Sequence, residues 1–534
     1  MALGKGLRPL HVIGVILFVR ILSVFVVQTW YVPDEYWQSL EVAHNKVFGY
    51  GALTWEWQKG IRSYLYPGIF AVVFSILKFT GLDNPLVLIY LPRILQALLS
   101  TFADYSFYKW TGGRKWALFL LLTSWFWFYT SSRTLLQTVE TSLVTIALSM
   151  FPFKQEIRRF RETESTKWCW LACVCVFLRP TSAPLWIVLA VYNLWTTTEG
   201  RLKLILRGYL PAALITSAVI IGLDSLLYGR IIVTVWEFFK FNVLNDVASL
   251  YGTHPWHWYL SQGLPAVLGV TLAPVLFACA IILRRPKEHK IPLVLLISAA
   301  VHVAVHSFIP HKEFRFVLPL LPIFLYLAQD VLVRWSRKAK RWQLFVAAAL
   351  ILVGNLLPAV YFGVIHQSGT LKVMPLLRES VPNNRSSVFF MMPCHSTPLY
   401  SHLHINITAR YLNCDPAFEK IGEGSEADRF FNNPTRWWRA EYTNKPTPDY
   451  VVMFDKLRPR IEPVLATYSL KHELPHTQVN IYPTPIYPIQ IHSKIPTTKP
   501  GRIVYGSRVV SIIITTVSLS GWSETTLINK RIYI

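Results

Sequence analysis

Charged residues are scarce in this 534-residue sequence, in which Asp, Glu, Lys and Arg together make up only 15% of the chain. A soluble globular domain usually has about 25% charged residues, so the composition excludes an ordinary soluble protein. Apolar runs long enough to span a bilayer recur from residue 12 to residue 363, and the mean hydropathy is +0.36. Because these runs are continuous rather than alternating, they exclude a transmembrane sheet and predict an all-α polytopic membrane protein.

Acidic residues are scarcer than basic ones, since 29 Asp and Glu stand against 53 Lys and Arg and leave a net charge of +24. Such a balance is also found in nucleic-acid-binding proteins. Here, however, the basic residues cluster in short connections between apolar runs, at 154–167, 201–207, 284–290 and 334–341. An excess of Lys and Arg is typical of cytoplasmic loops. We therefore expect these connections to be cytoplasmic, and the protein to have membrane lipids and no nucleic acid among its partners.

Cysteine is rare, with six residues in the whole chain. Four of them lie in apolar runs: Cys169, Cys173, Cys175 and Cys279. These four lack flanking zinc ligands and are predicted to be packing residues. Cys394 and Cys414 lie in a polar C-terminal region and are predicted to form a disulfide if that region is lumenal.

The sequence also lacks a glycine-rich phosphate loop, a Walker lysine motif and a GxSxG motif. Their absence leaves an ATP-driven transporter and a serine hydrolase without support. No internal repeat with a period of about 20–50 residues is present either, so a repeat architecture is not expected. A secondary transporter for an anion needs none of these motifs and stays an alternative.

The apolar runs predict about ten helices in a membrane region over residues 1–365. Basic residues precede the first run, which predicts a signal-anchor helix with its N-terminus in the cytosol and the following loop, 31–64, on the lumenal side. Either one early run is re-entrant, or the run 168–198 crosses twice around Arg179. A single crossing for every run would place the basic connection 154–167 in the lumen.

The polar C-terminal region is predicted to form a separate lumenal domain over residues 366–484. Its two sequons, at Asn384 and Asn406, are candidate glycosylation sites and suit a lumenal location. The remaining tail, 485–534, is rich in Ser and Thr and has no assigned role.

The first lumenal loop combines four carboxylates with eight aromatic residues. Pro33 suits the first turn of a helix, and Asp34 and Glu35 fall where the helix dipole favours negative charge. Farther along, one face of this helix is predicted to lie in the membrane interface; its residues are Trp37, Leu40, His44 and Val47. Either Asp34 and Glu35 only cap an amphipathic helix, or they are catalytic carboxylates.

The sequence HKEFRF at 311–316 concentrates four ionisable residues between two apolar runs: His311, Lys312, Glu313 and Arg315. Lys312 and Arg315 would share one face of a helix and would suit a phosphate group, which Arg binds through two parallel hydrogen bonds. The alternative is an interfacial anchor whose charges reach water.

Residues 251–263, YGTHPWHWYLSQG, are rich in aromatic and imidazole side chains. His254, Trp256, His257 and Trp258 are predicted to provide a stacking surface for a sugar or a lipid headgroup. A metal site would need more ligands nearby, so we expect no metal.

Two arginines lie alone in apolar surroundings, Arg133 and Arg179. Each is predicted either to bind phosphate or to pair with an internal carboxylate such as Glu140. Together with the acidic loop and HKEFRF, they suit transfer of a sugar from a lipid phosphate to a hydroxyl, although a secondary transporter for an anion could use the same residues. A carboxylate would accept the proton and cations would stabilise the departing phosphate.

Three motifs resemble those of the dolichol-phosphate-mannose-dependent mannosyltransferases of glycosyltransferase family 22. They are PDEYWQSLEVAHNKVFGYGALTWEW at 33–57, SSRTLLQT at 131–138 and HKEFRF at 311–316. The resemblance extends from about residue 10 to residue 482. Within the family, the stretches 241–265 and 392–404 are most similar to the members that add the third mannose of the GPI anchor.

The resemblance implies a GT-C type bundle whose active site lies at the lumenal face of the endoplasmic reticulum membrane. It implies an α1,2-mannosyltransferase (EC 2.4.1.-) with dolichol-phosphate mannose as donor, the GPI precursor glycolipid bearing two mannoses as acceptor, and no cofactor. The mechanism would be inverting, with the family's acidic position at Asp34 and Glu35 beside it. The alternatives are a mannosyltransferase of N-glycan precursor assembly and, from another class, a lipid or solute transporter.

Overall fold

The computed structural model describes residues 8–153, 166–197, 200–245, 247–415, 424–476 and 488–494. Most of the basic connection 154–167 and most of the tail 485–534 lie outside these ranges. The α-helices that precede residue 366 are α1 (Pro9–Val26), α2 (Glu41–Phe48), α3 (Trp55–Lys59), α4 (Leu65–Thr80), α5 (Pro85–Trp110), α6 (Lys115–Thr123), α7 (Trp125–Thr130), α8 (Leu136–Met150), α9 (Lys167–Leu178), α10 (Ala183–Thr196), α11 (Arg201–Leu204), α12 (Leu210–Tyr228), α13 (Thr234–Phe239), α14 (Leu264–Leu268), α15 (Leu272–Arg284), α16 (Lys290–Phe308), α17 (Leu321–Ser336) and α18 (Arg341–Val360).

Seven helical stretches of the described chain are long and apolar enough to cross a bilayer. They are Pro9–Val26, Pro85–Trp110, Arg201–Tyr228, Tyr259–Arg284, Lys290–Phe308, Phe314–Ser336 and Arg341–Ser380. Two shorter apolar helices, Leu65–Thr80 and Lys167–Leu178, accompany them. The chain is therefore a multi-pass membrane protein.

The run expected over 168–198 is interrupted, because Arg179 has an extended backbone with φ −146° and ψ 102°. The following Pro180 disfavours a helical conformation at the residue before it. Helix α9 ends at Leu178 and α10 begins at Ala183 after a short 3₁₀ turn. This break places Arg179 between two helices instead of within one.

The C-terminal region contains a five-stranded mixed sheet that the sequence analysis did not predict. Its strands are β1 (Ser387–Met391), β2 (Thr408–Tyr411), β3 (Tyr450–Phe454), β4 (Tyr468–Leu474) and β5 (Ile489–Lys494), in the order β2-β1-β3-β5-β4. Strand β1 is parallel to β2 and β3, whereas β5 is antiparallel to β3 and β4. Since β5 lies between β3 and β4, the folded unit extends beyond residue 484, where the sequence analysis ended it.

Alternate residues of the strands pack on opposite faces of this sheet, as the two-residue period of a strand requires. Phe389 and Val451 belong to one apolar cluster, and Phe390 and Val452 belong to another. The helices of this region are α19 (Gly369–Ser380), α20 (Tyr400–Leu403), α21 (Glu426–Asn432), α22 (Pro434–Tyr442) and α23 (Arg458–Leu465). Helix α19 covers the second face, and α21 to α23 cover the first.

The helix of the first loop is buried beneath the C-terminal region. The Glu41 carboxylate accepts hydrogen bonds from the backbone N–H of Leu399 at 2.7 Å and of Ser401 at 3.1 Å. The indole Nε1 of Trp37 donates to the carbonyl of Thr397 at 2.9 Å. The prediction that this helix lies in the membrane interface is therefore wrong, because its apolar face packs on protein.

Candidate active site

A cavity of about 1330 Å³ lies between the first loop, the HKEFRF segment and the C-terminal region. Its ionisable lining residues are Asp34, Glu56, Arg62, Arg179, His306, His311, Glu313, Arg315 and His395. Its apolar lining includes six exposed side chains: Ile187, Val233, Trp236, Phe239, Val243 and Phe308. The cavity thus combines charged groups with a large apolar lining, which suits a ligand with a polar head and an apolar chain.

Asp34 lies in the first helical turn after Pro33, as the sequence analysis expected. Its side chain lines the cavity and is 24% exposed. Its Oδ2 accepts a hydrogen bond from Nη1 of Arg315 at 2.5 Å. Asp34 is therefore a carboxylate that a ligand in the cavity can contact directly.

Arg315 lies between two carboxylates at the start of the 3₁₀ segment Phe314–Leu320. Its Nε and Nη2 donate to the two oxygens of Glu313 at 2.7 and 2.5 Å, while Nη1 donates to Asp34. A guanidinium has five N–H groups, so these three bonds leave further N–H groups for a ligand. Burial by itself would raise the pKa of Glu313, but Arg315 and His311 lower it well below its usual range.

His311 is a second cation of this cluster. Its Nε2 lies 3.0 Å from Oε1 of Glu313, and its Nδ1 lies 3.3 Å from the carbonyl oxygen of Gly252. Because both ring nitrogens face acceptors, the protonated ring is favoured. Burial opposes the charge, yet the hydrogen bond and the negative charge of Glu313 prevail and raise the pKa of His311 above its ordinary value.

Lys312 is directed away from the cavity, which corrects the predicted pairing with Arg315. Its ammonium donates to the carbonyl oxygens of Ile309 at 2.7 Å and His254 at 3.0 Å, and the residue is 3% exposed. The helical segment begins only at Phe314, so Lys312 and Arg315 do not share a helical face. Burial lowers the pKa of Lys312. Its contacts connect two loops.

Glu35 and Arg133 form a buried ion pair, with Oε2 and Nη1 at 2.7 Å and both side chains 1% exposed. Arg133 also donates to the carbonyl oxygens of Thr29 at 2.8 Å and Tyr129 at 3.0 Å. Neither member of the pair lines the cavity. Of the two alternatives for Arg133, the structure shows pairing with a carboxylate, and the partner is Glu35 instead of Glu140.

Arg179 pairs with Glu140 at 3.4 Å and also lines the cavity. Its guanidinium carbon lies 5.1 Å from the ring centre of Phe316, in the HKEFRF segment. Within the described chain, its buried Nη1 has no hydrogen-bond partner. Arg179 therefore pairs with Glu140 as the sequence analysis allowed, and it also contributes to the lining of the cavity.

The four residues predicted to form a stacking surface do not line the cavity. Trp256 is 68% exposed, while Trp258 is buried and packs on Phe314 with ring centres 4.8 Å apart. His254 stacks on Trp258, and His257 is exposed. Trp258 and His254 thus contact the HKEFRF segment without lining the cavity. Tyr251, at the start of the same stretch, does line it.

Aromatic and charged side chains of the first loop make up much of the remaining lining, although the sequence analysis did not assign them to the site. Trp37 and Trp55 line the cavity, as does the pair of Glu56 and Arg62, whose Oε1 and Nη2 lie 2.6 Å apart. The high density of aromatic and charged residues in the loop was the sequence feature that could have indicated their place in the site. His395 lies in the stretch 392–404 that resembles the family, but that resemblance did not indicate that its side chain reaches the cavity from a distant part of the chain.

Cys394 and Cys414 form a disulfide with their Cα atoms 6.0 Å apart, and both residues line the cavity. Their sulfurs and the ring of His395 lie within 4.8 Å of one another. Metal ions bind the thiolate form of cysteine, and the sulfurs of a disulfide are not thiolates. In the disulfide form, Cys394 and Cys414 are therefore not metal ligands. Asn384 and Asn406 are both exposed.

Two solved structures share this architecture over nearly the whole chain. ArnT from Cupriavidus metallidurans bound to undecaprenyl phosphate has a TM-score of 0.59 at 13% identity, covering 92% of this chain and 99% of ArnT. The apo form of the same protein has a TM-score of 0.56, covering 91% and 97%. At this identity the likeness concerns the fold alone, and it defines the class as a GT-C membrane glycosyltransferase fold.

The profile of the Alg9-like mannosyltransferase family matches residues 11–404. GPI mannosyltransferase 3 from Drosophila melanogaster is 47% identical over 483 residues, which cover 89% of this chain and 85% of the relative. GPI alpha-1,2-mannosyltransferase 3 from Homo sapiens is 38% identical over 467 residues, covering 85% and 81%. This chain belongs to the Alg9-like mannosyltransferase family. The resemblance seen in the sequence is thereby confirmed, the chain is a glycosyltransferase, and a transporter is not supported.

Proposed function

We propose that this protein transfers an α1,2-linked mannose from dolichol-phosphate mannose to the GPI precursor that already carries two mannoses, at the lumenal face of the endoplasmic reticulum membrane. The observation that supports this most directly is Asp34 beside the cation Arg315 in one cavity. One carboxylate and one cation in contact are what sugar transfer from a phosphate requires. The names of the relatives indicate the acceptor and the linkage.

In this mechanism Asp34 is the general base. The attacking hydroxyl oxygen of the acceptor forms a bond to the anomeric carbon of the donor mannose, and its proton passes to the Asp34 carboxylate. The bond between that carbon and the phosphate oxygen breaks, and dolichol phosphate leaves with the electron pair. Attack from the side opposite the phosphate converts the β-linked donor into an α-linked product.

The departing phosphate needs positive charge that is already in place, because its negative charge grows in the transition state. Arg315, His311 and Arg179 line the cavity as possible partners. Arg315 retains N–H groups beyond its bonds to Asp34 and Glu313, and Arg179 has an unpartnered Nη1. We assign phosphate binding mainly to Arg315, which is held rigidly by both carboxylates.

The apolar lining accommodates the polyprenyl chain of the donor in this proposal. Trp236, Phe239 and Phe308 line the cavity and are 56%, 41% and 86% exposed. The structural neighbour ArnT has been solved with undecaprenyl phosphate, a polyprenyl phosphate. A common fold and a cavity with an apolar opening are consistent with a lipid-linked donor.

The test is a transfer assay in membranes from cells that lack the endogenous enzyme. Membranes that contain the protein are incubated with dolichol-phosphate [³H]mannose and a GPI precursor carrying two mannoses, and the labelled lipids are separated. We expect one additional α1,2-linked mannose, sensitive to an α1,2-mannosidase, and no product with Asp34→Asn. Accumulation of truncated N-glycan precursors in the null cells, with normal GPI lipids, would instead assign the protein to N-glycan assembly.

A further inference from the structure

The loop that follows β1 closes one side of the cavity. Strands β1 and β2 are parallel, so their carboxyl ends lie at the same edge of the sheet, the edge at which ligands bind in open parallel sheets. Cys394 follows β1 and Cys414 follows β2, and the disulfide joins them at this edge. Both cysteines and His395 line the cavity. The C-terminal region thus contributes a covalently fixed segment to a site otherwise built by the membrane region.

His395 has an uncommon backbone conformation, with φ +60°. A residue other than glycine rarely adopts this left-handed region, and such residues cluster at functional sites. Its ring packs on Trp37, with ring centres 4.4 Å apart, and on Tyr411 at 5.4 Å. Trp37 is itself fixed by its hydrogen bond to Thr397. These contacts and the disulfide hold the His395 side chain at the cavity wall.

The ring nitrogens of His395 are available to a ligand. Within the described residues, neither nitrogen forms a hydrogen bond, although the side chain is partly buried and polar groups in such positions are usually bonded. Burial lowers the pKa of His395 to about 4, against the opposing effect of the nearby Asp34 charge. The neutral ring offers one donor and one acceptor, which is what a sugar hydroxyl needs.

We propose that His395 is a specificity-determining residue for the acceptor, whose terminal mannose it contacts through a hydroxyl hydrogen bond next to Trp37. This inference rests on the proposed function, because it places the acceptor glycan on the C-terminal side of the cavity. Asp34 precedes Trp37 by one helical turn. Asp34, Trp37 and His395 all line the cavity. A sugar bound in the cavity against the packed rings of His395 and Trp37 therefore presents its attacking hydroxyl toward the Asp34 carboxylate.

The test compares KM for the two substrates in His395→Gly and His395→Asn. Glycine tolerates φ +60° and removes the imidazole, while asparagine also tolerates this conformation and keeps a donor and an acceptor. We expect His395→Gly to raise KM for the GPI precursor with two mannoses about tenfold, the value of one hydrogen bond at its upper range. KM for dolichol-phosphate mannose should stay unchanged, and His395→Asn should recover part of the acceptor affinity.

Ser396→Ala is the matched control, since among the described residues the Ser396 hydroxyl bonds only to the local Pro393 carbonyl, and Ser396 does not line the cavity. The disulfide, measured by non-reducing peptide mapping, reports whether the loop is folded in each variant. Unchanged KM values in His395→Gly, or an equal rise for donor and acceptor, would overturn the inference. If the glycine variant does not accumulate, His395→Asn decides alone: a selective rise in acceptor KM supports the contact, and an unchanged one rejects it. A wild-type protein that does not use this acceptor would reject the proposed function itself.

Discussion

Nη1 of Arg315 and Oδ2 of Asp34 lie 2.5 Å apart, although 281 residues separate them in the chain. Asp34 belongs to the first loop and Arg315 to the segment before α17. Their contact brings the base of the proposed reaction next to the cation that would bind the phosphate. An acceptor hydroxyl at Asp34 and a donor phosphate at Arg315 would therefore be held close to each other. Holding two reactants in position in this way lowers the barrier of a two-substrate reaction.

Asp34→Asn should abolish most transfer while leaving the amount of folded protein near normal. The amide keeps the shape and a hydrogen-bonding oxygen but cannot accept the proton, and a general base contributes roughly 10²- to 10⁴-fold. Transfer per folded protein, measured in detergent-solubilised membranes, is the appropriate readout. Near-normal turnover of a well-folded Asp34→Asn protein would reject Asp34 as the base.

Glu35→Gln, one residue away, should act on stability instead. It leaves Arg133 without a charged partner in a site where both side chains are 1% exposed. Removing one partner of a buried pair costs about 3–5 kcal/mol, so we expect a lower thermal midpoint and less accumulated protein. The protein that does fold should retain turnover of wild-type order. If turnover fell as far as in Asp34→Asn at an unchanged midpoint, Glu35 would have a chemical role.

Arg315→Lys should reduce transfer on the order of 10²-fold even though the positive charge is kept. An ammonium cannot bind Glu313 through two nitrogens and reach Asp34 at once, as the guanidinium does. Lys312→Met is the matched comparison from the same segment, because Lys312 bonds only backbone carbonyls there and does not line the cavity. It should lower protein level with little change in turnover per folded molecule. The reverse pattern would place the phosphate at Lys312.

The transfer rate should fall as the pH rises through the pKa of His311. Burial lowers the pKa of His311, but the hydrogen bond to Glu313 and its negative charge outweigh burial and raise this pKa above its ordinary value of 6.5. The ring is charged below its raised pKa and neutral above it. Its contribution to stabilising the departing phosphate is therefore present at lower pH and is lost as the pH rises through that pKa. Rates measured between about pH 6 and pH 9 should show this descending limb. His311→Gln should lack it, and an identical limb in that variant would assign the titration to another group.

The membrane character and the location of the active loop were predictable from the sequence. Continuous apolar runs do not need tertiary contacts to be recognised, because the bilayer alone determines their length and composition. Adjacent carboxylates after Pro33 and four ionisable residues in HKEFRF stood out because charge is costly beside membrane helices. The family motifs at these positions then indicated a mannosyltransferase, and the family match confirmed it.

Only the tertiary structure decided which of these charges face the cavity. Asp34 and Glu35 are neighbours in sequence, yet one contacts Arg315 in the cavity and the other pairs with Arg133 in the protein interior. Lys312 and Arg315 diverge in the same way. Consecutive residues of a helix or loop point in different directions. The partners of Asp34 and Glu35 come from segments 281 and 98 residues away, which local patterns cannot specify.

The C-terminal sheet and its contribution to the site could not be predicted from the sequence, because they also depend on contacts between distant segments. Strand pairing joins β1 to β3 and β3 to β5 across long intervening segments, and such pairing depends on contacts that no short window contains. The sequence alone determined a membrane-embedded sugar transferase with an acidic loop and a basic segment. The fold determined the pairing of Asp34 with Arg315 and the placement of His395, because both depend on contacts between segments that are distant in the chain.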